Sequence, residues 1–176
     1  MRRFMMLILF CMLSILLTAC GFHLQGEKAL APPLHRMYVQ AADPYGPLVR
    51  SLQQSLRMSE VKLVDSAAQA DTVLIILQDT PSQQLLAPNG TLQTRQYILA
   101  ITVIFEITDA KGRILISPQT LSEGRPITIQ SNQILGSSNE VNIYYQQMRR
   151  ILAYSIMNRL ASREITRDII QNYHHN

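Results

Sequence analysis

The pattern of apolar and polar positions divides the chain into segments of different period. Phe4 to Leu17 is apolar apart from Ser14, with Arg2-Arg3 before it and the small residues Thr18-Ala19 after it. A positive start, an apolar stretch shorter than the about 20 residues of a membrane-spanning helix, and a small-residue exit describe a cleaved signal segment. Gly21, Gly26, Pro32 and Pro33 then mark a tether. Met37 to Val39 is a short strand candidate. The turn residues DPYGP (43–47) lead into a helix, with Pro47 at its first position, where a missing N–H costs nothing. Leu48, Val49, Leu52 and Leu56 form one stripe, which predicts a helix from Pro47 to Met58. Val61 to Val64 alternates as a short strand does. Thr72 to Gln78 is a continuous apolar run, the mark of a strand covered on both faces.

Asn89-Gly90 is a hairpin signal, because both residues tolerate positive φ. The segment after it carries the clearest alternation in the chain. Tyr97, Leu99, Ile101, Val103, Phe105 and Ile107 share one face, and Ile98 and Ile104 interrupt the other. Ala110-Lys111-Gly112 turns the chain back. A strand over Arg113 to Ile116 extends through Gln119 to Gly124, with Pro118 implying an edge or a bulge. The hairpin strands would be about 16 residues long, against the usual 5–6. Its apolar tip, LLAPNGTL (85–92), either projects toward a partner or folds back. Ser137-x-x-Glu140 reads as a capping box. The helix it opens has Val141, Tyr144, Tyr145, Met148, Ile151, Leu152, Ile156 and Leu160 on its apolar side. It should end near Ser162, with Ile170 as the outer limit, before a polar tail. Two striped helices and one sheet with an apolar face predict an α/β two-layer sandwich.

The signal exit is more specific than a secretory site. Leu17-Thr18-Ala19-Cys20 resembles the bacterial lipobox, in which the cysteine sulfur takes diacylglycerol, the chain is cut before it, and the new amine is acylated. Each buried methylene contributes about 0.8 kcal/mol, so several chains anchor a protein stably. Gly21 follows Cys20, where an aspartate would resemble an inner-membrane retention signal; this points to the outer membrane. The organisation expected is a signal segment 1–19, a lipidated tether 20–35, a single sandwich domain 36–165 and a polar C-terminal tail 166–176. Removing residues 1–19 from the 176 leaves 157, enough for one domain. Cys11 leaves with the signal and Cys20 carries lipid, so no disulfide is expected. The formal net charge falls from +4 to +2 because Arg2 and Arg3 are the only charges lost, which gives no reason to expect nucleic acid as a partner. The arginines at 149–150 and 159–167 read as a solvated helix face.

No catalytic constellation stands out. The histidines at 23, 35, 174 and 175 lack metal-ligand spacing, and His174-His175 reads as a solvated tail. There is no G-x-S-x-G elbow and no glycine-rich phosphate loop. Binding, not catalysis, is the function expected, with no cofactor and no metal.

Several stretches occur in one order along nearly the whole chain: CGFHLQG (20–26), DPYGPL (43–48), KLVD (62–65), Asn89-Gly90 followed by Tyr97, and SNE (138–140) before the last helix. Together they resemble the LptE family of lipopolysaccharide-assembly lipoproteins. The resemblance implies two helices on a mostly antiparallel, mixed four-stranded sheet with a long central hairpin. It implies an outer-membrane lipoprotein, acylated at Cys20, facing the periplasm and a barrel lumen. Such a protein plugs the LptD β-barrel in a 1:1 complex, helps it assemble, and binds lipopolysaccharide during delivery to the cell surface. The family's lipid contacts are a cation beside the hairpin's Asn-Gly and another before the last helix. The matching positions here are Pro88, next to Asn89 and Gly90, and Ser137. Arg95 and Arg125 could serve in their place, since a guanidinium fork suits phosphate. The alternative is a periplasm-facing lipoprotein that binds or shuttles lipid as an accessory of an ABC transporter.

Overall fold

The computed structural model describes residues 30–86, 94–130 and 134–174. Cys20 and the Pro88-Asn89-Gly90 turn lie outside these residues. Along the chain run β1 (Arg36–Ala41), α1 (Pro47–Met58), β2 (Lys62–Leu63), β3 (Thr72–Leu85), β4 (Thr94–Asp109), β5 (Ile114–Gln130), α2 (Ile134–Leu160) and α3 (Arg163–His174). The sheet has five strands in the order β2-β1-β3-β4-β5, not the four expected. β1 pairs in parallel with β2 and β3, while β3, β4 and β5 are antiparallel, so the sheet is mixed. The additional strand is the two-residue β2, from the alternating Val61–Val64 segment.

The periodicities formed the elements they implied. Leu48, Val49, Leu52 and Leu56 are all buried on α1. Leu99, Ile101, Val103, Phe105 and Ile107 are buried on one face of β4. In the continuous run of β3, neighbours on opposite faces, Val73 and Leu74, are both buried. Between β4 and β5 the turn closes as Asp109 Oδ1 accepts the N–H groups of Lys111 and Arg113, each at 2.9 Å. Gly112 there has φ 84°, a conformation that side chains with a Cβ rarely adopt.

The long hairpin is formed by β3 and β4, strands of 14 and 16 residues, close to the length expected. Four other expectations are corrected, the first being the extent of β5. β5 pairs with β4 from Thr108↔Ile114 to Thr94↔Gln130, so three long strands run together. β5 continues past Gly124 through Pro126 because it is an edge strand, where a residue without an N–H need not break a ladder. Pro118 meets both readings offered for it: the register shifts between Phe105↔Gln119 and Ile107↔Ile116, which places a bulge at Ser117-Pro118 on that edge.

The capping box does not open α2. The helix begins at Ile134, so Ser137 lies inside it. A cap contributes about 1 kcal/mol, a local preference that a 27-residue helix can override. The helix then breaks at Ala161-Ser162, and residues 163–174 form a third helix, not a polar tail. Ser162 Oγ accepts the Ile165 N–H at 3.3 Å, and Ile165 and Ile169 are buried. The tether is likewise shorter than expected. Leu30, Ala31 and Leu34 are buried around a 3-10 turn at Pro32–His35, so the packed domain includes residues 30–35. These three apolar side chains fall within five positions around Pro32-Pro33, too short a stretch to show a period.

Candidate functional site

Beyond the bulges, the sheet presents two contrasting faces. Strand alternation puts Asp79, Pro81, Gln83 and Leu85 of β3, the odd residues 97–103 of β4, and Leu121, Glu123, Arg125 and Ile127 of β5 toward the helices. Rows of small uncharged residues occupy the other face: Thr80–Thr102–Ser122 and Ser82–Ala100–Gly124, then Gln84–Ile98–Pro126. Thr102 Oγ1 and Ser122 Oγ share a hydrogen bond of 3.1 Å across this face.

On the helix side, α2 packs on β4 and β5 and α3 on β5, while α1 packs chiefly on α2, β1 and β2. Side chains from the middle of α2 tie it to the sheet. Tyr145 donates its hydroxyl to the Ser82 carbonyl at 2.9 Å. Arg149 Nε reaches both carboxylate oxygens of Asp79, at 2.8 and 3.1 Å. Burial pushes the Tyr145 phenol above its usual range, against the opposing charge of Arg149. Farther along α2, Arg159 donates through Nε and Nη2 to Gln119 Oε1 at 3.1 and 2.9 Å.

Arg125 is the described member of the expected contact set. It pairs with Leu99 on β5 and is exposed. Its guanidinium carbon lies 4.4 Å from the centroid of the Tyr144 ring. Its Nη1 donates to Gln147 Oε1 at 3.2 Å. Tyr144 donates its hydroxyl to Glu140 Oε1 at 2.8 Å; that bond, with burial and the Glu140 charge, raises the phenol's pKa against the effect of Arg125. The ring therefore stays neutral and offers its π face to the cation. Because Gln147 takes Nη1, the Nε/Nη2 edge of the guanidinium has no partner among the described residues. That edge is the one suited to a bidentate phosphate or carboxylate. Two carboxylates lie near this cation, Glu140 on Tyr144 and Glu123 two residues before it on the same face of β5, and Leu85 and Ile143 are exposed apolar residues of β3 and α2.

The other expected residues are only partly placed. Arg95 pairs with Ile129 on β4, two strand positions beyond Tyr97, and its side chain lies outside the described set. Sequence reasoning missed Tyr144 and Gln147, which it assigned to helix faces without a role, and it read Arg149 as solvated. The Glu140–Tyr144 spacing of four was visible. The Arg149–Asp79 pair spans 70 positions and left no local signal.

The comparisons with known proteins agree with this architecture. A family model described as LptE, Lipopolysaccharide-assembly, matches residues 34–160. The LPS-assembly lipoprotein LptE of Pectobacterium atrosepticum is 29% identical over 158 residues, covering 84% of this chain and 80% of that protein. The LPS-assembly lipoprotein LptE of Yersinia pestis (strain Pestoides F) is 30% identical over 152 residues, covering 84% and 72%. The crystal structure of a minor lipoprotein from Acinetobacter baumannii superposes with a TM-score of 0.58 at 25% identity, covering 73% of this chain and 91% of that one. A lipoprotein B from Nitrosomonas europaea, 20% identical, shares the fold with a TM-score of 0.67 over 89% and 99% of the chains. With the family model spanning the sheet and both long helices, the chain belongs to the LptE family of lipopolysaccharide-assembly lipoproteins.

Proposed function

We propose that this lipoprotein, acylated at Cys20 and held at the outer membrane, plugs and helps assemble an LptD β-barrel in a 1:1 complex and binds lipopolysaccharide during its delivery. It performs no catalysis. Membership of a lipopolysaccharide-assembly family supports the barrel partner and the lipid. The observation that carries a residue-level reading is Arg125, held between Tyr144 and Gln147 with its Nε/Nη2 edge unpartnered among the described residues. Lipid A phosphates are the anions such an edge would take, and the opposite face of the distal sheet supplies uncharged surface. Arg95, Pro88, Asn89 and Gly90 complete the proposed contact region.

Two measurements test this. Mild-detergent extraction with a tagged chain should recover a large barrel in equal amount; recovery as a free monomer removes the plug. Purified protein should bind lipopolysaccharide, and Arg125→Ala should weaken that binding about tenfold, the loss of one charge-assisted bond. Arg125→Lys should restore little of it, because a point charge neither forks nor stacks on the ring. Equal affinity of all three proteins would remove Arg125 from the site.

A further inference from the structure

α1 carries a second surface with its own chemistry, away from the distal sheet. Its apolar stripe is buried, so Arg50, Gln54, Arg57 and Met58 face outward. No acidic residue occurs anywhere on the helix, and neither arginine has an acidic partner among the described residues. The two lie seven residues apart, or about 10.5 Å along the axis. With Gln53, Gln54 and Met58 they line a shallow hollow of about 530 Å³. Asp43, before the helix, turns its carboxylate back to the Tyr45 N–H at 3.1 Å. At the two ends of the helix sit the most exposed large apolar side chains among the described residues: Tyr45, 83% exposed, and Met58, 76% exposed.

A cationic stripe bracketed by an aromatic and a flexible apolar side chain suits a headgroup layer. Arginines meet lipid phosphates there, and tyrosine sits at the boundary with its ring in the apolar zone. We infer that the outward face of α1, through Tyr45, Arg50, Arg57 and Met58, docks on an anionic lipid surface. Three considerations favour a membrane over an acidic protein. The protein is a lipoprotein, so a bilayer is always within reach. The packed domain begins at Leu30, and ten residues from Cys20 span at most about 35 Å. The patch combines charge with isolated apolar ends and lacks the contiguous apolar centre of a protein interface. Two arginines bind weakly alone, so the contact serves to orient a domain that the acyl chains already hold. It rests on the acylation proposed at Cys20 and on α1 lying on the part of the domain outside the barrel, and not on what the distal sheet binds.

The test uses the mature chain with Cys20→Ser, so that no acyl chain contributes, in sedimentation with phosphatidylcholine vesicles with or without phosphatidylglycerol. Anionic vesicles should bind about twentyfold more strongly than neutral ones, two surface cations each contributing about fivefold. Arg50→Gln/Arg57→Gln should remove the preference, and Tyr45→Ser/Met58→Ser should reduce binding several-fold. Arg163→Gln/Arg167→Gln removes an equally exposed pair from α3 and should leave binding unchanged. The side chains changed at Tyr45, Arg50, Arg57, Met58, Arg163 and Arg167 are all exposed, and thermal melting confirms that each variant is folded. A preference that survives loss of Arg50 and Arg57, or falls equally on loss of Arg163 and Arg167, overturns the inference. So does capture by an acidic protein with no preference among vesicles.

Discussion

Replacing Leu99 by alanine probes how far the packed core extends along the long strands. Leu99 lies well past the bulge at Leu77, opposite Gln83 on β3 and Arg125 on β5, and is 0% exposed. It belongs to the same buried cluster as Met148 of α2. Alanine removes three carbons, which by transfer alone costs about 2.4 kcal/mol. The strands on either side and α2 above are tied by Tyr145–Ser82 and Arg149–Asp79, so the site cannot collapse freely and a cavity term adds to the loss. The expected total is about 3–4 kcal/mol. For a domain of this size that lowers the melting temperature by about 6–15 °C. Urea unfolding of the Cys20→Ser mature chain measures it directly, with the slope m checked for constancy. Ile98→Ala, on the half-buried opposite face, provides the comparison and should cost about 1 kcal/mol. A Leu99→Ala loss below about 1 kcal/mol would show that the long strands behave as a frayed ribbon, and the distal site would then lack a rigid base.

Two further outcomes follow from the same contacts. The Arg149–Asp79 pair has side chains only 16% and 26% exposed, so a double-mutant cycle with Arg149→Ala and Asp79→Ala should show coupling of about 1 kcal/mol; a value near zero means the pair does not staple α2 to β3. Burial disfavours ionised Asp109, but the N–H groups of Arg113 and Lys111 and the Arg113 charge outweigh it and hold its pKa below the usual 3.8. A depressed carboxylate contributes stability that is present above the unfolded-state value and lost as pH falls through the folded one. Melting temperature should therefore fall less steeply below about pH 4 in Asp109→Asn, which keeps the Oδ1 acceptor; identical slopes in the two proteins would exclude Asp109 from acid unfolding.

Local chemistry was enough for much of this molecule. The stripe of α1, the alternation of β4 and the Asp109–Gly112 turn each depend on residues within a few positions of one another, and each appears where the pattern places it. The membership motifs are of the same local kind. What packing decided lies at longer range. Pairing with β4 carried β5 to Gln130 past Gly124 and Pro126, two interruptions that separate the β-branched Ile127-Thr128-Ile129 from the rest of the strand. Helix geometry over 27 residues overrode a capping box, and burial of Ile165 and Ile169 made a helix of an apparently polar end. The setting of Arg125 depends on a helix that begins after the strand has ended. Tyr144 and Gln147 reach it only because α2 folds back over β5, and Arg149 meets Asp79 across 70 residues. Periodicity records which face of an element is buried, whereas the partner across that face is chosen by the packing of the whole chain.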